Sequence, residues 1–281
     1  GPCISYDTAC SSALVACHGA LRALQLAESE TALAVGVNLM LMPWAAVIYA
    51  TAGISSLLGR CHTFDARADG FLKGEACTAA AMCSEDEPDT LLRGSSVQQD
   101  GRSASLSAPN GLAQQALLVA AVGGAGASVH SLTSIEAHGT GTALGDPIES
   151  RALATAVVGP RGATASLPLG SIKSNAGHSE PAAGGVGLLK SMAMLQQQRV
   201  APNAQLRNVN PHVSAAAEGV AMALPTQLAR TPAGRAPGCV GGVSSFGWGG
   251  TIAHAVLEAG VPTGPTHVQR AVLVYKKSRF V

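Results

Sequence analysis

The pattern of apolar positions predicts alternating helices and strands along most of the chain. Between residues 13 and 28, apolar side chains recur at spacings of three and four, as on the buried face of a helix; they are Leu14, Cys17, Leu21 and Leu24. Further helices are predicted over residues 112–122 and 182–198, and another begins at Asp146 and Pro147, a cap followed by a first-turn proline. Apolar runs predict strands over residues 32–37, 76–82, 132–137, 166–172 and 252–257. This alternation is typical of an α/β fold.

An uncharged stretch from residue 31 to residue 54 is long enough to cross a membrane. Asn38, Pro43 and Gly53 interrupt it. We therefore favour a buried strand over residues 32–37 followed by a loop, and we expect no membrane span.

Turn-forming residues mark two places where the chain changes character. The acidic segment 84–89 (SEDEPD) is the best candidate for an internal boundary. Residues 259–265, rich in glycine and proline, predict a linker, and residues 268–281 predict a solvated tail with a small basic cluster.

Composition narrows the possible classes of protein. The chain has 281 residues, of which 47% are hydrophobic and 12% charged, as expected for a tightly packed protein with a large core. The formal net charge of +1 provides no basic field for nucleic acid. Seven cysteines, an odd number without dense spacing, argue against a disulfide framework and for an intracellular reducing compartment, such as cytoplasm or plastid. The first residues show no signal peptide, and we expect the chain to begin inside a domain.

Cys10 is the first candidate for chemistry. It lies where a loop meets the beginning of the helix predicted over residues 13–28, so the helix dipole and unpaired backbone N–H groups would stabilise its thiolate. A cysteine taken alone is more often a small buried hydrophobic residue than a nucleophile, and we expect that of the other six.

Two strand ends carry further candidates. His138 follows the strand predicted over residues 132–137, and the ends of strands in open α/β sheets commonly bind ligands. The glycines after His138 do not match a dinucleotide-binding motif, and no lysine follows as a P-loop requires, which disfavours a nucleotide. Lys173 and His178 follow the strand predicted over residues 166–172.

A glycine-dense segment, residues 241–250, predicts a tight turn with two aromatic residues, Phe246 and Trp248. Such a turn could be purely structural. Alternatively, its backbone N–H groups could stabilise an oxyanion while an aromatic ring gates a pocket.

Four ordered motifs carry a resemblance to a known family. They are residues 7–12 (DTACSS), residues 136–142 (EAHGTGT) with residues 145–147 (GDP), residues 173–178 (KSNAGH) and residues 245–251 (SFGWGGT); shorter matches lie at residues 59–65 (GRCHTFD) and 100–102 (DGR). Together they resemble the motifs of β-ketoacyl synthases, and they fit the ketosynthase domain of type I polyketide synthases best. The resemblance extends to about Glu258.

The resemblance implies a thiolase-like, layered αβαβα fold built from two similar α/β halves. The family's nucleophilic cysteine lies in the first half, and here it is only the tenth residue, so we expect the beginning of the first half to be missing. Residues 1–85 would be the remainder of the N-terminal half and residues 86–258 the C-terminal half with both histidines; residues 259–281 would be linker and tail. Missing strands would leave apolar faces exposed.

The resemblance also implies a reaction of polyketide or fatty acid biosynthesis. Cys10 would accept an acyl group from the phosphopantetheine thiol of an acyl carrier protein. A carrier-bound malonyl-type unit would then lose CO₂ and attack that acyl group, while His138 and His178 donate hydrogen bonds to the enolate oxygen. Lys173 would orient and polarise the histidines.

Substrate contacts are implied in the same way. Thr140 and Thr142 would contact the pantetheine arm, the backbone N–H groups of Cys10 and Trp248 would form an oxyanion hole, and Phe246 and Trp248 would line the pocket. Trp248 stands where the family commonly has Phe and would narrow the acyl pocket. Ile252 replaces a usual Asn and would remove a polar side chain that helps to hold the loop.

The resemblance predicts no bound cofactor, because the substrates are carried on phosphopantetheine. The expected partners are an acyl carrier protein and other polyketide synthase domains, with a homodimer in the complete domain. Two alternatives stay open: a non-catalytic remnant that acts as an interaction module, and a Cys–His thioester hydrolase. A metal site made of Cys10, His138 and His178 lacks the short ligand spacing that would support it.

Overall fold

Helices and strands alternate along the chain in the computed structural model, which describes residues 1–84, 89–103, 105, 108–162, 166–231 and 238–260. The first part contains α1 (Ser12–Gln25), β1 (Thr31–Asn38), α2 (Pro43–Thr51) and β2 (Ala76–Cys83). It is followed by β3 (Thr90–Gln99), α3 (Gly111–Gly124), β4 (Leu132–Glu136), α4 (Gly145–Leu153) and β5 (Leu167–Gly170). The remainder contains α5 (Lys173–Ala176), α6 (Ala183–Gln197), β6 (Arg199–Val200), α7 (Pro211–Ala216), β7 (Met222–Ala223), β8 (Ala229–Arg230), β9 (Val240–Phe246) and β10 (Thr251–Ala259).

A six-stranded mixed sheet organises the molecule, with strand order β3-β10-β9-β4-β5-β7. Strands β9, β4, β5 and β7 are parallel neighbours, and β10 runs antiparallel to both β9 and β3. The carboxyl ends of β4 and β5 therefore meet at one edge, and the segments carrying His138 and Lys173 leave the sheet there.

Helices cover both faces of this sheet. Helices α3 and α4 pack on one face around a core that includes Leu118, Ile135 and Leu169. Helices α1 and α6 pack on the opposite face, where Leu14 and Val243 belong to a second core. The antiparallel pair of β1 and β2 packs against α1 and α6 on the side away from the six-stranded sheet. The described residues therefore form successive layers of helix, sheet, helix and sheet.

Most predicted elements are confirmed to within a few residues, but the segment after α1 differs. Strand β1 is half-exposed rather than buried, because Leu33, Val35 and Val37 face outward while Ala34 and Gly36 face α1 and α6. The predicted loop contains helix α2, which begins with a proline and has no buried residue. No helix in the described ranges is both long enough and apolar enough to cross a membrane.

The glycine-dense segment was predicted as a turn, and this is wrong for its first part. Gly241 and Gly242 lie inside strand β9, and only residues 247–250 form the turn. A Cβ at Gly242 would come within 2.7 Å of both His254 and Ile135, so the absence of a side chain permits this close approach. Strand β3 was not predicted at all.

Several predictions lie partly or wholly outside the described residues. These include residues 85–88 of the acidic turn and residues 261–281 of the linker and tail. Residue 259, predicted as the beginning of the linker, is instead the last residue of β10. The division into two halves stays a prediction. Among the six cysteines predicted to be buried, Cys17, Cys61 and Cys239 are buried, whereas the prediction is wrong for Cys3, Cys77 and Cys83, which are exposed.

Candidate active site

Cys10 lies in a short 3-10 turn, Ala9–Ser11, that runs directly into α1. Ala9 has a φ of +52°, a left-handed conformation that is strained for any residue with a Cβ. Neighbouring hydroxyls hold the turn in place. The Ser12 hydroxyl accepts the Thr8 N–H at 3.0 Å and donates to the Ala9 carbonyl at 2.7 Å. The sequence therefore builds a braced, strained turn around the sulfur.

The segments that follow β4 and β5 bring His138 and His178 to the same place as Cys10. His178 contacts Cys10, and His138 lies beside His178. The Nε2 atom of His178 lies 3.1 Å from the Sγ atom of Cys10. The rings of His138 and His178 are 5.6 Å apart between centroids and nearly perpendicular. The structure thus brings together three residues that the sequence places more than 30 positions apart.

Backbone hydrogen bonds determine which ring nitrogen of each histidine carries the proton. The Nδ1 atom of His138 accepts the N–H of Phe246 at 3.2 Å, and the Nδ1 atom of His178 accepts the N–H of Glu180 at 3.3 Å. Burial lowers the pKa of both rings well below the usual value, and the charge of Lys173 lowers it further. Both histidines are therefore neutral and carry their hydrogen on Nε2, ready to donate.

Burial also dominates the pKa of the Cys10 thiol. It raises the pKa of the Cys10 thiol to about 11, although Lys173 and the backbone N–H of Trp248 act in the opposite direction. The helix end was expected to favour the thiolate, but the loss of hydration outweighs that effect. Cys10 is therefore a thiol at neutral pH.

Lys173 is buried at the beginning of α5. Burial lowers its pKa, while the carboxylates of Glu136 and Glu149 raise it. One oxygen of Glu136 accepts the N–H of Ile172 at 2.6 Å, and the other accepts from Lys190 at 2.5 Å. The hydrogen bond from Ile172 connects the end of β4 to the segment that carries Lys173, and the buried ion pair connects it to α6.

Two carboxylates of α4, to which the sequence analysis gave no role in the site, shape the loop after β4. Glu149 accepts the N–H groups of His138 at 2.7 Å and Gly139 at 2.8 Å. Asp146 accepts the N–H of Gly141 at 3.0 Å and that of Phe64 at 2.8 Å. Burial raises their pKa values to about 7 and about 6. The signal that the sequence offered for this role was their position shortly after the EAHGTGT motif.

The turn between β9 and β10 docks against the nucleophile. A Cβ at Gly247 would lie 2.1 Å from the Thr8 carbonyl oxygen, so only glycine fits there. Backbone hydrogen bonds from Gly247 to Thr251 (2.8 Å) and from Gly250 to Gly247 (2.9 Å) close the turn. Ile252, which was expected to loosen this loop, is fully buried in β10.

These groups surround one cavity of about 420 Å³. Of the predicted site residues, those that line it are Cys10, His138, Thr140, Thr142, His178, Phe246 and Trp248. Lys173 does not line it and acts on the site through its charge. In the described part of the chain, no cluster of three or more His, Cys, Asp or Glu side chains is arranged to hold a metal ion.

Comparison with known sequences identifies the family of this chain. A family model described as "Beta-ketoacyl synthase, N-terminal domain" matches residues 1–87, and one described as "Beta-ketoacyl synthase, C-terminal domain" matches residues 90–207. The chain belongs to the β-ketoacyl synthase family.

Relatives of this ketosynthase chain are much longer proteins. It is 42% identical over 272 residues to a phenolphthiocerol/phthiocerol polyketide synthase protein of Mycobacterium tuberculosis, covering 94% of this chain and 14% of that protein. Another protein of the same synthase and species is 41% identical over 266 residues, with 92% and 14% covered. The ketosynthase chain therefore spans about one seventh of these relatives.

Solved ketosynthase structures show the same fold. The ketosynthase of module 6 of the bacillaene synthase from Bacillus subtilis 168 is 34% identical, with a TM-score of 0.87 over 93% of this chain and 48% of that one. An oxazolomycin ketosynthase domain of Streptomyces albus JA3453 is 35% identical, with a TM-score of 0.89 over 95% and 48%. The predicted thiolase-like fold is confirmed, and the chain spans about half of each ketosynthase.

Proposed function

We propose that this chain carries the condensing site of a polyketide synthase ketosynthase and catalyses decarboxylative Claisen condensation. One observation carries the proposal: each histidine has its Nδ1 atom occupied by a backbone N–H, so two Nε2–H donors are available at the cavity beside Cys10. A pair of neutral donors suits an enolate oxygen, whose charge appears only in the transition state.

The first step is acyl transfer to Cys10. Its sulfur attacks the thioester carbonyl of an acyl group on the phosphopantetheine of a carrier protein, the thiol proton is released, and the carrier thiol leaves protonated. The backbone N–H groups of Cys10 and Trp248 lie close enough to the sulfur to lower the thiol pKa, which supports their role at the oxyanion. The Nε2–H of His178 stabilises charge on sulfur.

The second step forms the carbon–carbon bond. The carboxylate of a malonyl-type thioester leaves as CO₂, and its bonding electrons form an enolate held by the Nε2–H groups of His138 and His178. The enolate carbon attacks the acyl carbonyl, and the sulfur of Cys10 leaves as thiolate and takes a proton from solvent. The product is a β-ketoacyl thioester on the carrier.

The hydrolase alternative conflicts with the histidine geometry. A Cys–His hydrolase must also activate a water molecule to attack the acyl-cysteine, which needs a ring nitrogen that accepts a proton near the sulfur. The Nε2 atom of His178 faces Cys10 but carries the hydrogen, because Nδ1 accepts the Glu180 N–H. The condensing reaction needs donors at this position.

The test follows the two steps separately. The chain is incubated with an acyl pantetheine thioester, and an acyl adduct is sought by intact-protein mass spectrometry, with Cys10→Ala as the control. Release of ¹⁴CO₂ from a malonyl pantetheine thioester then reports decarboxylation. We expect His138→Ala to reduce CO₂ release by about 10²-fold while the adduct still forms, because it removes one enolate donor. Adduct formation without CO₂ release in the parent would reject condensation.

A second candidate, an interaction module, is favoured by one surface. The outward side of β1 and helix α2 exposes Leu33, Val35, Trp44 and Ile48. Large exposed apolar surfaces commonly mark interfaces. A folded chain that gives no adduct but self-associates, measured by mass photometry, would favour this candidate. The same measurement tests the proposed homodimer, and carrier binding tests the proposed carrier partner.

A further inference from the structure

The cavity has two buried hydrogen-bond acceptors that the proposed reaction does not use. Gln114 is only 1% exposed, lines the cavity, and its Oε1 atom has no hydrogen-bond partner among the described residues. Asp100 also lines the cavity, and its buried Oδ1 atom likewise lacks a partner within the described ranges. Buried polar atoms are nearly always paired, so two unpaired acceptors in one cavity indicate a ligand that brings donors.

Asn110 connects the two segments of the chain that carry Asp100 and Gln114. The side-chain Nδ2 of Asn110 donates to the Asp100 carbonyl at 2.7 Å. The Asn110 Oδ1 atom accepts the N–H groups of Leu112 and Ala113, at 3.1 and 3.3 Å, and so caps α3. Gln114 follows one turn into this helix. Asn110 thus fixes the backbone of both segments, and a small rotation of each side chain is needed to bring its buried oxygen to the surface of the cavity.

Other polar groups on this wall already have partners. The oxygens of Glu149 are occupied by His138 and Gly139, and Asp146 is occupied by Phe64 and Gly141. The two oxygens that have no partner are acceptors, so they favour a part of the ligand that has N–H donors.

We infer that Gln114, together with Asp100, accepts hydrogen bonds from the amide N–H groups of the carrier's pantetheine arm. This inference rests on the proposed function, which brings the arm into the cavity. The arm is a mostly aliphatic chain with amide groups, so its N–H donors must find acceptors when it leaves water. Gln114 would be a binding residue separate from Thr140 and Thr142.

The test compares two acyl donors in parallel. One is an acyl pantetheine thioester, and the other is the same acyl group on a simple alkanethiol that has no amide. The variant is Gln114→Met, which keeps the side-chain volume but removes the acceptor. The matched control is Gln115→Met, at the next position of α3. Gln115 is not among the described residues that line the cavity. A second variant, Asp100→Ala, removes the other acceptor.

We expect Gln114→Met to lower kcat/KM for Cys10 acylation by the pantetheine donor about tenfold, mainly through KM. Acylation by the alkanethiol donor should stay within about twofold, which shows that the site is still assembled. Gln115→Met should change neither. Equal losses with both donors would show a structural role and overturn the inference, as would no loss with either.

Direct binding separates this inference from the proposed function. Affinity for free pantetheine is measured by ligand-observed NMR with the parent chain, Gln114→Met and Asp100→Ala. Weaker binding by either variant supports the inference even if the parent forms no acyl adduct, in which case the proposed function alone fails. Equal binding by the parent and both variants overturns the inference.

Discussion

The Sγ atom of Cys10 and the Nε2 atom of His178 lie 3.1 Å apart although the residues are 168 positions apart in the chain. The backbone N–H of Glu180 occupies the other ring nitrogen, so His178 donates toward the sulfur. In the proposed reaction, this geometry suits His178 to stabilise developing charge rather than to act as a general base. The buried thiol consequently has no built-in proton acceptor in the ring that it contacts.

The first prediction concerns the reactivity of Cys10. Burial raises its pKa to about 11, so the thiolate fraction is small at neutral pH and rises about tenfold per pH unit. We expect the rate of iodoacetamide alkylation at Cys10 to increase about 10²-fold between pH 7 and pH 9, followed by peptide mass spectrometry. The Cys10→Ala variant identifies labelling at other cysteines. A rate that levels off below pH 9 would contradict the raised pKa.

The second prediction concerns the contact between the β9–β10 turn and the nucleophile. Gly247→Ala places a Cβ 2.1 Å from the Thr8 carbonyl oxygen, so the turn that carries Cys10 must shift. A displacement of about 1 Å at a reacting group costs about 10²-fold in rate, and we expect that loss in Cys10 acylation. Gly249→Ala is the matched control, since no heavy atom lies within 4 Å of its added Cβ. Similar acylation rates in the two variants would show that the contact between Gly247 and Thr8 does not position Cys10.

The third prediction concerns pH-dependent stability. Burial raises the pKa of Glu149 from 4.5 to about 7, so the folded chain binds this proton more tightly than the unfolded chain does. Its contribution, about 3 kcal/mol at most, is present below pH 4.5 and is lost as the pH rises through 7.

Glu149→Gln removes this titration. We expect the Tm of the parent to fall more steeply between pH 5 and pH 7.5 than the Tm of the variant, as measured by circular dichroism. Asp146 is present in both proteins, and because its charge raises the pKa of Glu149, the difference between the two curves belongs to this coupled pair. Parallel Tm curves would show that the Glu149 pKa is not raised.

The fourth prediction concerns the buried pair of Lys190 and Glu136. Lys190→Met leaves a buried carboxylate without its cation, and we expect a loss of about 3–5 kcal/mol in the free energy of unfolding. The double variant Glu136→Gln with Lys190→Met removes both charges and should recover most of that loss, since the Gln oxygen can still accept the Ile172 N–H. Urea unfolding measures both. A double variant as unstable as the single one would place the loss in packing rather than charge.

Local pattern was sufficient for the elements with strong helical periodicity. Helix α1 was predicted over residues 13–28 from its apolar spacing and is observed over Ser12–Gln25. That spacing depends on neighbours a few positions away, which a sequence shows directly. The glycines of β9 gave the opposite result, because glycine is typical of turns and its use here depends on close approach by His254 and Ile135.

The exposed side of β1 shows a similar limit. Its apolar run predicts a buried strand, but burial depends on which layer lies against it, and the described residues cover only one face. Asp146 was likewise predicted to begin a helix, and both Asp146 and Glu149 lie in α4. Their second role, bonding the N–H groups of the loop before them, depends on how that loop folds back.

By itself, the sequence determined the family and pointed to the candidate reactive side chains, because short motifs around Cys10, His138 and His178 carry that information within a few positions. Only the tertiary structure decided the proton positions on the histidines, the burial that raises the Cys10 pKa, and the unpaired acceptor of Gln114. These properties depend on hydrogen bonds and loss of water between segments far apart in the chain. A linear pattern does not contain those contacts.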